Sequence, residues 1–408
     1  MYENLLYQET CDLLKKDIVN GCMPGAVLFY GPSGAGKLSC ALETARVLSC
    51  TGEENGLWTC TCGSCLRHKA LVSQNVLLAG PRDCTLEIVA AAAVLQHAAE
   101  KNAPYSKSAR YLFLRSVRKL TMRFNPVLWD GDDKISRIAA VMSEIDELME
   151  TLDFPHQLPE PAALSKICGQ IFKLCEKLET TFLYDSIPVK QIRNISSWAR
   201  IKSGGGKKTV IIENADRMLD SVRNALLKIL EEPPEDTVFI LTTSRRNAVI
   251  PTILSRVRAY QFRERTSDEQ IQVVRRIFHD EEYSGTLQRY MESYLPVPPA
   301  DVRSCAEEFF REIALNRIPD TAQVVKVCGG FEPRLLLRLF LEDAVDSQKK
   351  LFHTAAGTES SAQCMDAFRA CWNNVTVYNQ SPGAAIENLV RTLSKINRQH
   401  GNVFQAAV

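Results

Sequence analysis

A glycine-rich stretch near the N-terminus has the residue types and the spacing of a phosphate-binding loop. Glycines let the backbone curl so that successive N–H groups point at phosphate oxygens, and a lysine after the last glycine reaches the β- and γ-phosphates. The stretch fits G-x-x-x-x-G-K and consists of Gly31, Pro32, Ser33, Gly34, Ala35, Gly36 and Lys37. An apolar run precedes it and an amphipathic helical pattern follows it, which is the context that such a loop requires. The sequence therefore predicts a P-loop that binds ATP or ADP.

The residues that would hold Mg²⁺ and activate a water molecule differ from those of a hydrolysing P-loop site. Leu38 stands directly after Lys37, where a serine or threonine hydroxyl would bind the metal. Glu213 and Asn214 follow an apolar run at 209–212, where an Asp-Glu pair is usual. Glu213 is one methylene longer than aspartate, and the amide of Asn214 has no useful proton affinity at neutral pH. These differences predict a degenerate Walker B motif and weak or absent hydrolysis, and they leave the use of Mg²⁺ open.

Short apolar runs alternate with amphipathic helical patterns over residues 1–265, and these elements must position the loop. Buried strands are predicted at 26–30, 209–212 and 238–242, and helices at 3–20, 38–48 and 220–231. A mostly helical insertion at about 84–186 interrupts the pattern, and helical patterns dominate from about 265 to the C-terminus. Strands that alternate with helices predict an α/β domain built on a parallel sheet.

The composition is that of an ordinary globular protein. The chain has 408 residues, 45% of them apolar and 24% charged, and a formal net charge of +1. This balance gives no overall polyelectrolyte signal, so any contact with nucleic acid must come from a local patch or from partners. The first residues do not have the pattern of a signal peptide, and no apolar run is long enough for a membrane span. We therefore expect a soluble cytoplasmic protein without a membrane partner.

A basic segment lies inside the insertion. Between 104 and 125 there are six basic residues and no acidic one: Lys107, Arg110, Arg115, Arg118, Lys119 and Arg123. Such a segment could bind DNA phosphates. It could equally pair with the acidic residues that follow, which are Asp130, Asp132, Asp133, Glu144, Asp146 and Glu147. We favour intramolecular pairing or a solvated face.

Several short motifs occur in an order that resembles one protein family. They are Asp216-Arg217-Met218, Asn224-Ala225-Leu226-Leu227-Lys228, Leu230-Glu231-Glu232-Pro233-Pro234 and Ile250-Pro251-Thr252-Ile253-Leu254-Ser255-Arg256. Over roughly 1–80 and 187–263 the chain is similar to the bacterial DNA polymerase III clamp-loader subunits of the AAA+ class. The resemblance implies an AAA+ P-loop domain at 1–265, a helical lid domain at 266–345 and a helical oligomerisation collar at 346–408. It also implies a role in loading the sliding clamp onto primed DNA, together with gamma/tau and delta subunits.

Within that family, motor subunits carry intact ATP motifs, whereas delta-prime subunits often carry degraded ones. Leu38 and Asn214 therefore make the chain resemble a delta-prime subunit. An ATP-hydrolysing gamma/tau-type motor subunit and a structural interaction protein with an empty P-loop remain the alternatives. The family pattern implies that Arg256 is an arginine finger for a neighbour's ATP site, since a guanidinium can neutralise phosphate charge across an interface. It also implies nucleotide-sensing roles for Thr243 and, more weakly, for Arg334.

A cysteine cluster follows the predicted P-loop helix. Cys62, Cys65 and His68 form C-x-x-C-x-x-H, and Cys50 lies twelve residues before Cys62. Closely spaced cysteines with a distal ligand suit tetrahedral Zn²⁺. The resemblance implies a small structural zinc module at about 50–68, in which His68 replaces one of the family's four cysteines. Cys60 is the alternative fourth ligand.

Overall fold

The computed structural model describes residues 1–53, 56–349, 351, 355–376, 378 and 380–407. The chain divides into two compact units, Met1–Tyr290 and Met291–Val408. The lid and collar boundaries that the resemblance implies, at 265 and 345, fall within these units and stay predictions. Part of the proposed zinc module (54 and 55) and part of the proposed collar (350, 352–354, 377, 379 and 408) lie outside the described residues.

A five-stranded parallel sheet forms the centre of the first unit, as the alternation of strands and helices predicts. Its strands lie in the order β2-β3-β4-β1-β5. They are β1 (Ala26–Tyr30), β2 (Val76–Ala79), β3 (Lys208–Ile212), β4 (Thr237–Thr243) and β5 (Arg258–Gln261). The three predicted strands are confirmed as β1, β3 and β4. The short strands β2 and β5 were not predicted.

Helices cover the sheet and form the insertion. Those before the insertion are α1 (Thr10–Val19), α2 (Lys37–Leu48) and α3 (Gly63–Lys69). The insertion contains α4 (Thr85–Glu100), α5 (Ser106–Thr121), α6 (Ile135–Leu152) and α7 (Pro161–Thr181), which confirms its helical character. After it come α8 (Val189–Arg200), α9 (Asp220–Glu231), α10 (Pro251–Leu254) and α11 (Ser267–Phe278).

The first helix is shorter than the apolar pattern predicts. We expected a helix over 3–20, but α1 begins at Thr10. The preceding residues include Tyr2 and Tyr7, both of which have positive φ values that a helix cannot contain. Tyr2 is buried, and its hydroxyl lies 2.9 Å from the Oγ1 atom of Thr44. The N-terminal segment therefore packs against α2 as an irregular turn.

The main core lies between the sheet and α2. It includes Val27 and Phe29 of β1, Ile211 of β3, Ile240 of β4 and Leu38 of α2, all of which are buried. Strands of a parallel sheet are buried on both faces, which explains why they read in the sequence as short continuous apolar runs. This packing fixes the start of α2, and therefore the glycine-rich loop, against the end of β1.

The second unit is helical in its described part. Its helices are α13 (Pro299–Ala314), α14 (Thr321–Val327), α15 (Arg334–Ser347), α16 (Ala355–Thr376) and α17 (Pro382–Gln399), and α12 (Leu287–Glu292) spans the division between the units. Phe309 of α13 packs edge-on against Phe340 of α15, at 5.2 Å between ring centroids. Among the helices of the described residues, none is both long enough and apolar enough to cross a bilayer.

Candidate functional site

The candidate nucleotide site lies at the carboxyl edge of the sheet. Because the strands are parallel, the loops that follow β1, β3 and β4 all leave from this edge. The last residue of β1, Tyr30, is in register with Thr243, the last residue of β4. Crevices at such edges are where ligands bind in open α/β sheets. The fold therefore brings the glycine-rich loop, Glu213 and Thr243 to one edge.

The glycine-rich loop has the backbone form that its sequence predicts. Gly36 has a φ of 92°, which a side-chain-bearing residue would adopt only with strain, and α2 begins at the next residue. Arg265 links the loop to the N-terminal segment through hydrogen bonds. Its Nη1 atom donates to the carbonyl oxygen of Gly34 at 2.7 Å, and its Nε atom donates to the carbonyl oxygen of Leu6 at 3.2 Å. The loop is thus fixed between α2 and the N-terminal segment.

The ammonium group of Lys37 donates to the carbonyl oxygens of Gly31 and Pro32, each at 2.6 Å. Burial lowers the pKa of Lys37 to about 8; Glu213 opposes this effect and nearby Arg82 adds to it. The lysine is therefore still mostly protonated at neutral pH. Its ammonium group lies against the glycine-rich loop, where it could bind the phosphate oxygens of a nucleotide.

Leu38 belongs to the hydrophobic core and not to the site. Its side chain is buried beside the apolar residues of β1 and α2. An apolar core residue therefore occupies the position at which a hydroxyl would bind Mg²⁺.

Two arginines hold the carboxylate of Glu213. Arg82 donates from Nη1 to Oε1 at 3.1 Å, and Arg123 forms an ion pair with Oε2. Glu213 and Arg123 are both buried, and the side chain of Arg82 is 32% exposed. Burial alone would raise the pKa of Glu213, but the two guanidinium groups outweigh it and lower the pKa. Glu213 is therefore an ionised carboxylate whose two oxygens are both engaged.

Asn214 and Thr243 are also engaged within the chain. Asn214 has a φ of 53°, which asparagine tolerates, and its Nδ2 atom donates to the carbonyl oxygen of Pro81. The hydroxyl of Thr243 donates to Oδ1 of Asp216 at 2.6 Å. Arg245 completes this group by donating from Nη2 to Oδ2 of Asp216 at 2.9 Å. Asp216 thus links the end of β4 to the turn that follows Asn214.

Arg256 lies on the surface just beyond α10. Its Nη1 atom donates to the carbonyl oxygen of Thr252 at 2.9 Å, and its Nη2 atom lies 3.4 Å from Oε2 of Glu231 at the end of α9. Glu231 is exposed, and an exposed ion pair of this length contributes little free energy. The Nε atom of Arg256 has no hydrogen-bond partner among the described residues. The guanidinium group, 28% exposed, is thus held mainly by Thr252 and only weakly by Glu231.

Arg334 lies in the second unit, at the first position of α15. The residues of the candidate nucleotide site belong to the first unit. A sensing role for Arg334 therefore stays a prediction.

Four cysteines form a compact cluster beside α2 and α3. The Sγ atoms of Cys50, Cys60, Cys62 and Cys65 all lie within 4.8 Å of one another. Tetrahedral Zn²⁺ with Zn–S bonds of about 2.3 Å requires sulfur atoms about 3.8 Å apart, and the Sγ atoms of Cys50 and Cys60 are 3.7 Å apart. The four clustered thiols are therefore compatible with a structural zinc ion.

His68 is not grouped with these thiols among the described residues, although the sequence favoured it as the fourth ligand. Its Nε2 atom instead lies 3.1 Å from the hydroxyl of Ser73. Burial, with smaller contributions from Arg46 and Arg67, lowers the pKa of His68 to about 4. His68 is therefore a buried neutral imidazole, and the structure places the alternative ligand, Cys60, in the cluster.

Three of the six basic residues in the basic segment of the insertion form ion pairs within the chain. Arg118 pairs with Asp153, Lys119 with Glu87 and Arg123 with Glu213. Arg110 and Arg115 donate to main-chain carbonyl oxygens. Intramolecular pairing is thus confirmed, but the acidic partners are not those of the run from Asp130 to Glu147. The partners are Glu87 in the first turn of α4 and Glu213 directly after β3.

Comparisons with known proteins agree with the motifs. The family described as "DNA polymerase III, delta subunit" matches residues 7–125 and 165–266, which together make up more than half of the chain. The delta' subunit of DNA polymerase III from Pseudomonas aeruginosa is 41% identical over 71 residues, which are 17% of this chain and 22% of that protein. The delta' subunit from Bacillus subtilis is 43% identical over 56 residues, or 14% and 17% of the two chains.

A gamma/tau subunit of DNA polymerase III also matches. The protein from Mycobacterium tuberculosis is 38% identical over 74 residues, which are 18% of this chain and 12% of that protein. The matched segments thus span less than a quarter of each of these curated relatives. A solved gamma subunit-related protein from Thermotoga maritima aligns with 56% of this chain and 89% of its own, at 16% identity and a TM-score of 0.28.

The resemblance predicted from the motifs is confirmed by the family match. The matched residues include the glycine-rich loop, Glu213, Thr243 and Arg256. This chain belongs to the DNA polymerase III, delta subunit family.

Proposed function

We propose that this chain is a delta-prime-like subunit of a DNA polymerase III clamp loader. It would assemble with gamma/tau and delta subunits in the cytoplasm and help to place the sliding clamp on primed DNA. The observation that carries the delta-prime assignment is the carboxylate of Glu213, whose two oxygens are bound by Arg82 and Arg123. Together with the buried Leu38, this arrangement argues against a metal-dependent hydrolysing site.

In this proposal the chain supplies Arg256 to the ATP site of a neighbouring subunit. The weak pairing of Arg256 with exposed Glu231 supports this role, because little free energy is lost when that ion pair is given up for a partner. Thr243 would report the state of the chain's own loop, and Arg334 would contribute from a helical lid. The lid at 266–345 and the collar at 346–408 belong to the same proposal.

The isolated chain should show almost no ATP hydrolysis, because neither Glu213 nor Asn214 can act as metal ligand or base as they stand. Adding the chain to a mixture of gamma/tau, delta, the sliding clamp and primed DNA should raise the yield of loaded clamp. Phosphate release and clamp loading measure the two effects. Robust hydrolysis by the isolated chain that Lys37→Ala abolishes would instead identify a gamma/tau-type motor subunit.

The cysteine cluster would hold a structural zinc ion through Cys50, Cys60, Cys62 and Cys65. All four positions are protein thiols, so none remains for a water or a substrate. Arg46 supports this arrangement from α2, since its Nη1 atom lies 3.1 Å from the Sγ atom of Cys65.

Replacement of Cys60 should lower the zinc content of the chain, whereas replacement of His68 should leave it unchanged. Cys60→Ser should lose most of the zinc, because the substitution removes one of four thiolate ligands. His68→Ala should keep about one zinc ion per chain, because its imidazole bonds to Ser73. Elemental analysis of the purified proteins measures the difference. Zinc retained by Cys60→Ser and lost from His68→Ala would restore the ligand set that the sequence favoured.

A further inference from the structure

Two arginines at the end of the sheet hold Glu213, which stands where a hydrolysing P-loop site has its metal-binding carboxylate. We propose that Arg82 takes the place of the divalent cation while Arg123 keeps Glu213 from binding one, so that this P-loop binds nucleoside di- and triphosphates without Mg²⁺. The inference deepens the proposed function and rests on it only in treating the loop as a nucleotide site.

The first step is the state of Glu213. Mg²⁺ at a nucleotide site is usually held by one or two carboxylates, directly or through water, together with the phosphates. Here each oxygen of Glu213 is already paired, one with Arg82 and one with Arg123. Releasing the carboxylate to a metal would leave the guanidinium group of Arg123 unpaired, and its side chain is only 1% exposed. Such an uncompensated buried charge is strongly unfavourable.

The second step is the backbone that brings these arginines to the site. β2 pairs with β3, with Ala79 in register with Ile212, and Gly80 follows directly. Gly80 has a φ of 113°, and a Cβ atom at this position would lie 2.5 Å from the carbonyl oxygen of Glu213. Only glycine allows this close approach. The carbonyl oxygen of Gly80 then accepts a hydrogen bond from Nη1 of Arg123 at 3.0 Å.

The third step is the position of Arg82 relative to the phosphate loop. Arg82 lies close enough to Lys37 to contribute to the lowering of its pKa. Its side chain is 32% exposed, so a solute can reach it. The contacts with Glu213 and Glu87 engage two of the five N–H donors that a guanidinium group carries, and its planar fork suits phosphate oxygens.

The charges in this arrangement favour an anion without a metal. Lys37, Arg82 and Arg123 carry three positive charges, and Glu213 carries one negative charge. The two nearby pairs, Glu87 with Lys119 and Asp216 with Arg245, are neutral in sum. Glu179, which accepts from the N–H of Cys84, adds one more negative charge, so the sum over these groups is still positive. The loop amides and the helix dipole of α2 add to this positive potential. A bound triphosphate would lack the metal that bridges its β- and γ-oxygens, so binding without hydrolysis is the expected outcome.

The experiment measures binding of a fluorescent ADP analogue to the full chain, once with excess MgCl₂ and once with EDTA. The affinity should agree within about twofold between the two conditions. Lys37→Ala should weaken binding in both, which places the analogue at the P-loop. Arg82→Gln should weaken binding in EDTA about tenfold, because a charge-assisted hydrogen bond to phosphate is lost. Arg193→Gln, an exposed arginine on α8, is the matched control and should bind like the wild type.

Arg82→Lys guards against a folding defect, since it keeps the charge and loses only the planar fork. It should bind more weakly than the wild type in EDTA but more tightly than Arg82→Gln. An affinity that rises tenfold or more with Mg²⁺ would overturn the proposal, and so would the absence of any binding. Wild-type affinity of both Arg82 variants in EDTA would overturn it as well. Clamp loading in the reconstituted mixture is measured separately from nucleotide binding. A chain that supports clamp loading but binds nucleotide only with Mg²⁺, or not at all, would overturn this inference and leave the proposed function in place.

Discussion

Arg256→Ala should abolish ATP turnover at the one site that this chain completes in a reconstituted loader, with a loss of about a thousandfold at that site. The physical reason is that a planar guanidinium group stabilises the charge that develops on the transferred phosphoryl group, and alanine has no such group. Binding of ATP by the neighbour should change much less, since the finger acts on the transition state. Single-turnover hydrolysis, with the other ATP sites inactivated, measures the effect directly.

Three variants make this result specific. Arg256→Lys keeps the positive charge but loses the fork, so turnover should recover only in part. Glu231→Ala removes the intramolecular partner of Arg256 and should leave turnover unchanged or slightly raised. Arg258→Ala changes a partly exposed arginine two residues away and should behave like the wild type. Gel filtration must show that each variant still assembles. Wild-type turnover by an assembled Arg256→Ala loader would rule out the finger.

Much of the fold could be predicted because its signals are local. β1, β3 and β4 are continuous apolar runs, and the glycine-rich loop has a spacing that phosphate binding requires. β2 and β5 have four residues each, too few for a clear period, and only one side chain of β5 is buried. They are strands because neighbouring strands offer them hydrogen bonds. That information lies in the assembled sheet and not in the segments themselves.

The zinc ligands also could not be fully predicted from local sequence. The spacing of Cys62, Cys65 and His68 suggested that the histidine would share a metal with the cysteines. Cys62 caps the short helix α3, and Cys65 lies within it. The histidine lies on the same helix, but its ring bonds to Ser73 just beyond it. The spacing identified a cluster, whereas the direction of each side chain depended on packing.

The arginines around Glu213 were beyond sequence reasoning for a different reason. Arg82 is 131 residues from Glu213 along the chain, and Arg123 is 90 residues from it. Arg123 belonged to a basic segment that favoured intramolecular pairing, but nothing in the sequence specified its partner. Arg82 belongs to no motif or charged run, so nothing in the sequence indicated a role for it. The contact of Arg123 arises because the insertion packs beside β2, whereas Arg82 lies in the short segment between β2 and α4.

Removal of the carboxylate at this junction should destabilise the fold strongly. Glu213→Gln would leave Arg123 buried opposite a neutral amide, and breaking a buried ion pair from one side costs about 3–5 kcal/mol. Urea unfolding at neutral pH measures the free energy of unfolding. Glu235→Gln, an exposed carboxylate in a turn, is the matched control and should stay within about 0.5 kcal/mol of the wild type.

The double variant Arg123→Met/Glu213→Leu separates charge pairing from simple disruption. Replacing both partners by apolar residues of similar size removes the unpaired charge, so the double variant should be more stable than Glu213→Gln.

The pH dependence of the free energy of unfolding tests the same ion pair independently. Because the pKa of Glu213 is lowered in the folded chain, its contribution to stability is complete above the ordinary carboxyl pKa and is lost as the pH falls through the folded value. The stability difference between wild type and Glu213→Gln should therefore shrink in acid. A difference that is small at neutral pH, or that grows in acid, would mean that the paired carboxylate does not hold the insertion to the sheet.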